Sequence, residues 1–394
     1  MLMRASHIVA LVVATLAIWP QPAHAQQSLT GALSFLLTNR SIATGDFAGD
    51  EQAAAAARDA IAGFLVAELA TLPISSAASG FTYRLDPALG VNVRSSDSFG
   101  PFYIERSLTA GRRRVSFGLG YTQSIFDNID GRPLTDGTLV ATASRLTGDS
   151  QPFDAEALSL RIETRMVTLS GQVGVTDRLD VSAVLPLVMI SLDGQRVDTY
   201  RGTEYLQATA VASASGIGDV VIRAKYNVLR RGGSGLAIAG ETRLPTGNSD
   251  DLLGGNELVF IPKFIASFER GWIGAHGQAG YAVGGASNEL DYGGAVTIVA
   301  NPRLTFVGEV IGRLIDSGGH LTDVVAAHPT LAGVETIRLS ATQQATNRAS
   351  IVAGVRWNVA ARWLLSASVL RPMTTAGLNA RWVPSVTLDY WVGR

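Results

Sequence analysis

The sequence predicts an all-β protein, a transmembrane antiparallel β-barrel of the bacterial outer membrane. Segments with alternating apolar and polar residues recur along the chain, and the connections between them alternate between short and long. In residues 216–229, for example, Arg223 and Lys225 alternate with Val220 and Ile222. Successive side chains of a strand point to opposite faces, so such segments are two-faced. A barrel with lipid outside and water inside has this pattern.

The N-terminus predicts a secretory signal. Arg4 precedes an apolar run over residues 8–18, and the small residues Ala23 and Ala25 follow it. The apolar run is too short for a membrane-spanning helix, which needs about 20 residues. We therefore expect residues 1–25 to be a signal peptide that is cleaved near Ala25 during export.

Composition restricts the class of the mature protein. Only 16% of the residues are charged, against about 25% in soluble domains, and glycine is frequent at 42 residues. The net charge of −1 gives no reason to expect a nucleic-acid partner. The chain has no cysteine, which excludes disulfides and thiolate metal sites. No other apolar stretch is long enough to span a membrane as a helix.

The barrel is predicted to occupy residues 79–394. The two-faced segments predict 14 strands, of which residues 81–108 supply two, with 12 strands as the alternative. Either even number places both ends of the barrel on the periplasmic side. Such a barrel has outer-membrane lipid and the barrel-assembly machinery as expected partners.

The predicted connections fall into two classes, short periplasmic turns and long extracellular loops. The short turns are predicted at residues 176–178, 230–234, 269–271, 301–303 and 360–362. The long loops are predicted at residues 124–154, 194–215, 246–256 and 316–347.

Residues 26–78 form a separate N-terminal segment. Within it, residues 50–73 are alanine-rich, with Ile61, Leu65 and Leu69 at helical spacing and Pro73 as the stop. The segment is thus predicted to be helical. It could plug the lumen, pack at the periplasmic mouth or stay mobile.

The charged residues of the strands are the candidate functional residues. Near the middle of a lipid-facing surface each would cost roughly 2–4 kcal/mol, so we place them on the lumenal face. The predicted turn at 230–234 sets Arg223 opposite Glu241 as a cross-strand pair. These charges either brace the wall or help to select the solute. The lumen-facing candidates are Arg161, Glu163, Arg165, Arg223, Lys225, Glu241, Arg243, Lys263, His276, Glu309, Arg313 and Arg356.

The sequence gives little support for catalysis or for a cofactor. A hydrolase needs a nucleophile, a histidine and an orienting group within reach of one another, and no spacing here indicates such a set. His276 is interpreted as an ordinary lumenal residue. The loop containing Asn248, Asp250 and Asp251 lacks the ordered spacing of a calcium loop. We expect no enzyme activity, no metal and no cofactor.

Two stretches resemble a known family. They are "GIGDVVIRAKYNVL" and "GLAIAGETRLPTGNSDDLLGGN", and they are similar to the signature of the outer-membrane transporters of the meta-pathway phenol-degradation family. The matching residues are Gly216, Gly218, Asp219, Lys225, Tyr226, Leu244, Pro245, Thr246 and Gly247.

The resemblance covers mainly residues 216–394. It implies a plan related to the long-chain fatty-acid channels of the outer membrane, with an N-terminal plug and passage of hydrophobic compounds. The chain departs from many such barrels by ending in Arg394 rather than an aromatic residue, which puts its assembly signal in doubt.

The expected function is an outer-membrane channel or transporter for passive uptake of small hydrophobic or aromatic compounds. The alternative is a structural or surface-interaction barrel without meaningful transport.

Overall fold

The computed structural model describes residues 28–37, 80, 82–86, 91–249, 251–255, 257–285, 287–328 and 330–392. The predicted signal peptide and the predicted helix over residues 50–73 lie outside the described residues. The division of the chain before residue 79 therefore stays a prediction.

The described elements are one helix and eighteen strands. They are α1 (Leu29–Leu37), β1 (Tyr83–Asp86), β2 (Val91–Arg94), β3 (Val115–Ile129), β4 (Arg132–Pro133), β5 (Leu139–Leu146), β6 (Asp154–Gly174), β7 (Leu179–Tyr200), β8 (Thr203–Ile217), β9 (Val220–Arg231), β10 (Ser234–Leu244), β11 (Val259–Arg270), β12 (Ile273–Ala282), β13 (Glu289–Asn301), β14 (Leu304–Ala327), β15 (Val334–Ala360), β16 (Trp363–Pro372), β17 (Leu378–Ala380) and β18 (Val383–Val392).

Twelve antiparallel strands close into a barrel. Their order around the ring is β3, β6, β7, β9, β10, β11, β12, β13, β14, β15, β16 and β18. Val115 of β3 pairs with Val173 on one side and Val392 on the other, which closes the ring. The predicted all-β barrel is confirmed, and its number of strands is 12, the stated alternative to 14.

The predicted count of 14 is wrong because the described residues of 81–108 add no strand to the ring. Strands β1 and β2 pair with each other and form a separate two-stranded sheet. The first barrel strand begins at Val115. An isolated pair of short strands resembles a barrel hairpin in sequence, because alternation does not reveal which partner a strand has.

The outer face of the barrel is apolar. Phe117 is 56% exposed, Leu169 44%, Ile238 52% and Phe264 51%. In each case the residues before and after it in the same strand point into the barrel. A soluble protein would not expose so many large apolar side chains. The twelve strands therefore present a lipid-facing band.

Arginine in place of Leu169 is expected to destabilise the folded barrel by about 2–4 kcal/mol, the cost of a cation near the middle of the lipid. Leu169 lies between Leu119 and Leu185 on the neighbouring strands. Urea unfolding in lipid vesicles measures the change. The matched control is Thr209→Arg on the exposed outer face of β8, where the charge stays in water. Equal losses in both variants would contradict the lipid-facing assignment.

The end with the short turns and the barrel termini is taken as periplasmic. All five predicted short turns are confirmed, since they fall between consecutive barrel strands. The long loop predicted at residues 246–256 falls between β10 and β11, while the other three contain strand residues. Residues 124–154 include β4 and β5, and residues 194–215 and 316–347 lie largely in strands β7, β8, β14 and β15. About 10 residues suffice to cross the membrane, so the rest of these strands extends beyond it.

The extensions form a curved extracellular sheet. Its strand order is β8, β7, β6, β5, β15 and β14. Its inner face is an apolar core that includes Leu158, Leu160, Leu192 and Leu339. Outside the membrane the outer face meets water, so the polarity of the two faces is reversed relative to the lipid-facing band.

Helix α1 packs on the inner face of this sheet. Leu33 and Leu36 are fully buried among the alanines of β8, and Arg196 Nη1 donates a 3.1 Å hydrogen bond to the carbonyl of Leu36. Gly194 permits the close approach, because a Cβ there would lie 2.4 Å from a methyl of Leu36. No helix in the described part of the chain is long and apolar enough to cross a membrane.

Candidate functional site: the lumen and its internal segment

Residues 95–111, hereafter the lumenal segment, run inside the barrel. They follow β2, whose Arg94 donates to the carbonyl of Pro302 in a periplasmic turn (3.4 Å), and they precede β3. Phe99, Phe102 and Ile104 are at most 4% exposed. The segment thus enters from the periplasmic end and returns to it, filling that half of the lumen.

Glu309 of β14 holds the bend of the lumenal segment. Its carboxylate accepts hydrogen bonds from three consecutive backbone N–H groups, those of Phe102, Tyr103 (3.0 Å) and Ile104 (3.2 Å). Hydrogen bonds to a charged acceptor are stronger than those between neutral groups. One wall carboxylate therefore satisfies a stretch of irregular backbone that would otherwise be buried without partners.

Other strands bind the rest of the segment through side chains. Gln278 accepts from the Glu105 N–H (3.0 Å), Ser267 from the Ser107 N–H (2.9 Å) and Asp180 from the Ala110 N–H (2.9 Å). The donors to segment carbonyls are Lys225 to Arg106 (3.1 Å), Asn227 to Ser107 (2.7 Å) and Arg356 to Pro101. The segment is anchored on most sides of the barrel.

A buried charge network joins the segment to the wall. Glu105 of the segment pairs with Arg223 and with Lys225 (3.2 Å). Arg223 also pairs with Glu241, with which it is in register across β9 and β10. The predicted cross-strand pair is thus confirmed. Glu241 is shared further with Lys263 at 2.6 Å and Arg243 at 3.5 Å.

The pKa of Glu105 follows from this network. Burial raises its pKa, but the charges of Arg223 and Lys225 outweigh burial, so the pKa lies below its ordinary value. A carboxyl group whose pKa is lowered by folding stabilises the fold at every pH above its ordinary pKa. This stabilisation is lost as the pH falls through the lowered pKa. The anchor of the segment therefore persists at neutral pH.

A cavity of about 190 Å³ lies in the barrel beside the lumenal segment. Its walls are segregated around the ring. On β16, β17, β18, β3 and β6 the described lining carries no charge, and its large apolar side chains are Leu370, Leu378, Val383, Phe126 and Met166. The charged lining residues all lie on β9 to β15: Arg223, Glu241, Arg243, Lys263, Asp291, Arg313 and Arg348. The cavity is therefore amphipathic.

Nine of the predicted lumen-facing residues lie on the inner side of the wall: Arg223, Lys225, Glu241, Arg243, Lys263, His276, Glu309, Arg313 and Arg356. Seven of them contact the lumenal segment or the charge network that binds it. Arg313 pairs with Glu289 at 3.3 Å instead.

Arg161, Glu163 and Arg165 lie on the outer face, which corrects the prediction for these three. The residues that alternate with them, Leu160 and Ile162, are buried in the extracellular core. Glu163 accepts from Arg165 (2.7 Å) on the same exposed face. The error has a physical cause: this part of β6 extends beyond the membrane, where polar residues face outward.

The structure also brings together a histidine and a serine that the spacing did not indicate. His276 Nδ1 lies 3.0 Å from Ser267 Oγ and its Nε2 lies 3.9 Å from Glu269. Ser267 also accepts the N–H of Ser107, and neither Ser267 nor His276 lines the cavity. In this arrangement the pair binds the lumenal segment.

The residues of the family signature fold an extracellular loop inward. Asp219 accepts hydrogen bonds from the N–H groups of Gly247 (3.0 Å) and Gly255 (2.8 Å), and Thr246 donates to the carbonyl of Gly218 (2.7 Å). Leu253 is thereby buried in the extracellular core. The signature therefore has a structural role above the lumen.

Alanine in place of Asp219 is expected to destabilise the loop at residues 245–255 by about 1–3 kcal/mol, because two N–H groups lose their acceptor. Limited proteolysis followed by mass spectrometry should show faster cleavage within the loop. The control Asp219→Asn keeps one acceptor oxygen and should be cleaved at an intermediate rate. Unchanged cleavage in the alanine variant would refute this role.

The closed ring, the apolar outer band and the occluded lumen define an outer-membrane β-barrel. Residues 141–371 match the sequence family described as "Putative MetA-pathway of phenol degradation", and this match covers more than half of the 394 residues. The chain belongs to that family. No curated protein matches the sequence.

Solved structures similar to this chain are also outer-membrane proteins. The COG4313 outer membrane channel from Pseudomonas putida F1 is 13% identical, with 73% of this chain and 98% of that chain covered and a TM-score of 0.44. A Pseudomonas aeruginosa FadL homologue is 11% identical, with 71% and 90% covered and a TM-score of 0.32. The CymD monoaromatic hydrocarbon channel is 9% identical, with 72% and 90% covered and a TM-score of 0.25.

Proposed function

We propose that the protein is an outer-membrane channel for passive uptake of small hydrophobic or aromatic compounds. The observation that carries the proposal is the cavity inside the barrel, of which one wall combines large apolar side chains with uncharged polar ones and has no charged residue among its described lining. An apolar cavity of about 150 Å³ binds benzene, so the cavity volume of about 190 Å³ suits a single-ring compound.

The lumenal segment makes the protein unsuited to free passage of polar solutes. Its backbone is hydrogen-bonded to the wall at many points between Phe99 and Ala110. We propose that a solute passes through the lumen only when this segment shifts, and that the apolar wall holds the solute until then.

The proposed action is transport without chemistry. The Ser267 and His276 pair is engaged by the lumenal segment and lies away from the cavity. The other proposed partners are the outer-membrane lipid around the apolar band and the barrel-assembly machinery that inserts the strands.

The test uses vesicles with a lipopolysaccharide outer leaflet, since plain phospholipid bilayers already pass small apolar compounds. We expect the purified folded protein to speed the entry of a labelled single-ring alcohol but not of a small sugar. The control is a vesicle without protein. An unchanged entry rate for the aromatic compound would overturn the proposal and favour the surface-interaction barrel.

A further inference from the structure

The charge around the cavity is unevenly balanced. Five cations line the cavity, and four carboxylates line it or pair with these cations: Arg223, Arg243, Lys263, Arg313 and Arg348 against Glu105, Glu241, Glu289 and Asp291. A positive excess in a site with limited access to water favours an anion.

The cations differ in their exposure and in the distance to their carboxylate partners. The side chains of Arg223, Lys225 and Lys263 are at most 10% exposed and pair at close range with carboxylates. Arg243 and Arg313 keep 24% and 20% exposure, and their carboxylate partners lie farther away, at 3.5 and 3.3 Å. Of these five ion-paired cations, the guanidinium groups of Arg243 and Arg313 are thus the most open to a ligand.

Arg313 also has a like-charged neighbour. Arg348 lies directly opposite it on β15, and both line the cavity. Like charges directly opposite each other on adjacent strands destabilise a sheet. An anion between or beside them would relieve that repulsion. Guanidinium groups also suit carboxylates in particular, because their planar donors match the two oxygens.

We propose that the cavity binds amphipathic carboxylates, with the ring or chain on the apolar wall and the carboxylate on the charged wall, where Arg243 and Arg313 are two partly exposed candidates to receive it. This rests on the proposed transport function and names the class of solute within it. The two halves of such a ligand match the two walls: Phe126, Met166 and Leu370 take the apolar part, and the arginines take the anion.

The test compares three compounds of one size, 4-phenylbutyrate, 4-phenylbutan-1-ol and 4-phenylbutylammonium. Binding to the full-length folded protein in a nonionic detergent is measured by calorimetry. We expect the carboxylate to bind at least about tenfold more tightly than the alcohol, the size of a charge-assisted hydrogen bond, and the ammonium to bind most weakly.

Arg243→Gln is expected to remove most of that preference, measured as the ratio of the carboxylate affinity to the alcohol affinity of the same variant. Arg243→Lys keeps the charge and should retain a preference, which excludes a folding defect as the cause. The matched control, Arg231→Gln, changes an exposed arginine at the periplasmic end of β9 and should behave like the wild type.

The outcomes separate the two proposals. Equal affinity for the carboxylate and the alcohol would overturn the carboxylate assignment and leave the transport function standing. Tightest binding of the ammonium would also overturn it. Binding of none of the three compounds would count against the transport function itself.

Discussion

Alanine in place of Glu309 is expected to raise the ion conductance of the barrel by at least about tenfold. Three backbone N–H groups, those of residues 102–104, lose their acceptor. Leaving a buried donor unsatisfied costs about 1–3 kcal/mol. The free energy that holds the segment in place therefore falls by at least about 3 kcal/mol. The fraction of molecules in which the segment is displaced then rises roughly a hundredfold.

Single-channel recording in a planar bilayer measures this effect. Glu309→Gln keeps one acceptor oxygen and should give an intermediate conductance. Glu335→Ala is the matched control, because Glu335 pairs with Arg145 (3.0 Å) in the extracellular sheet, away from the lumenal segment. A folded Glu309→Ala barrel with unchanged conductance would contradict the assignment of this segment as the barrier.

Removal of the Glu241 carboxylate is expected to destabilise the folded barrel by about 3–5 kcal/mol, the range for breaking a buried ion pair. Glu241 is shared by Arg223, Arg243 and Lys263. Its loss removes the carboxylate that these three cations share, while Arg223 keeps Glu105 as a partner. Glu241→Ala should therefore unfold at a lower urea concentration, as followed by the gel mobility of folded and unfolded barrels.

The matched control for this change is Glu204→Ala, which removes an exposed carboxylate on β8. It should shift the unfolding midpoint by less than about 0.5 kcal/mol. If the two variants lost similar stability, the charges of the lumen would be less tightly coupled than the geometry indicates.

The alternation of residues was enough to predict the barrel and most of its inner face. The pairing of Arg223 with Glu241 followed from one turn and a period of two. The assignment of polar residues to the inner face is wrong where a strand leaves the membrane, as at Arg161 and Arg165 of β6. The same alternation has the opposite meaning there, and no residue within the strand marks the change.

The lumenal segment could not be predicted from the sequence because irregular backbone has no period. Its partners Gln278 and Ser267 bind main-chain N–H groups, and such bonds place no requirement on the segment's own side chains. The prediction therefore read residues 81–108 as two strands. Glu309 was identified as lumenal, but its role in holding the segment required the structure.

The central claim is that solute passes through the lumen only when the lumenal segment moves. The cysteine-free chain permits a direct test by cross-linking. The backbone N of Ser107 lies 2.9 Å from Ser267 Oγ, so the two residues are near enough for cysteines at both positions to be joined by a disulfide. The double variant Ser107→Cys/Ser267→Cys is compared with each single variant.

Entry of a labelled single-ring alcohol into vesicles with a lipopolysaccharide leaflet is then measured before and after oxidation. We predict that oxidation of the double variant stops entry and that a reducing agent restores it, while both single variants are unaffected. Entry that continues at the same rate with the disulfide fully formed would contradict the account.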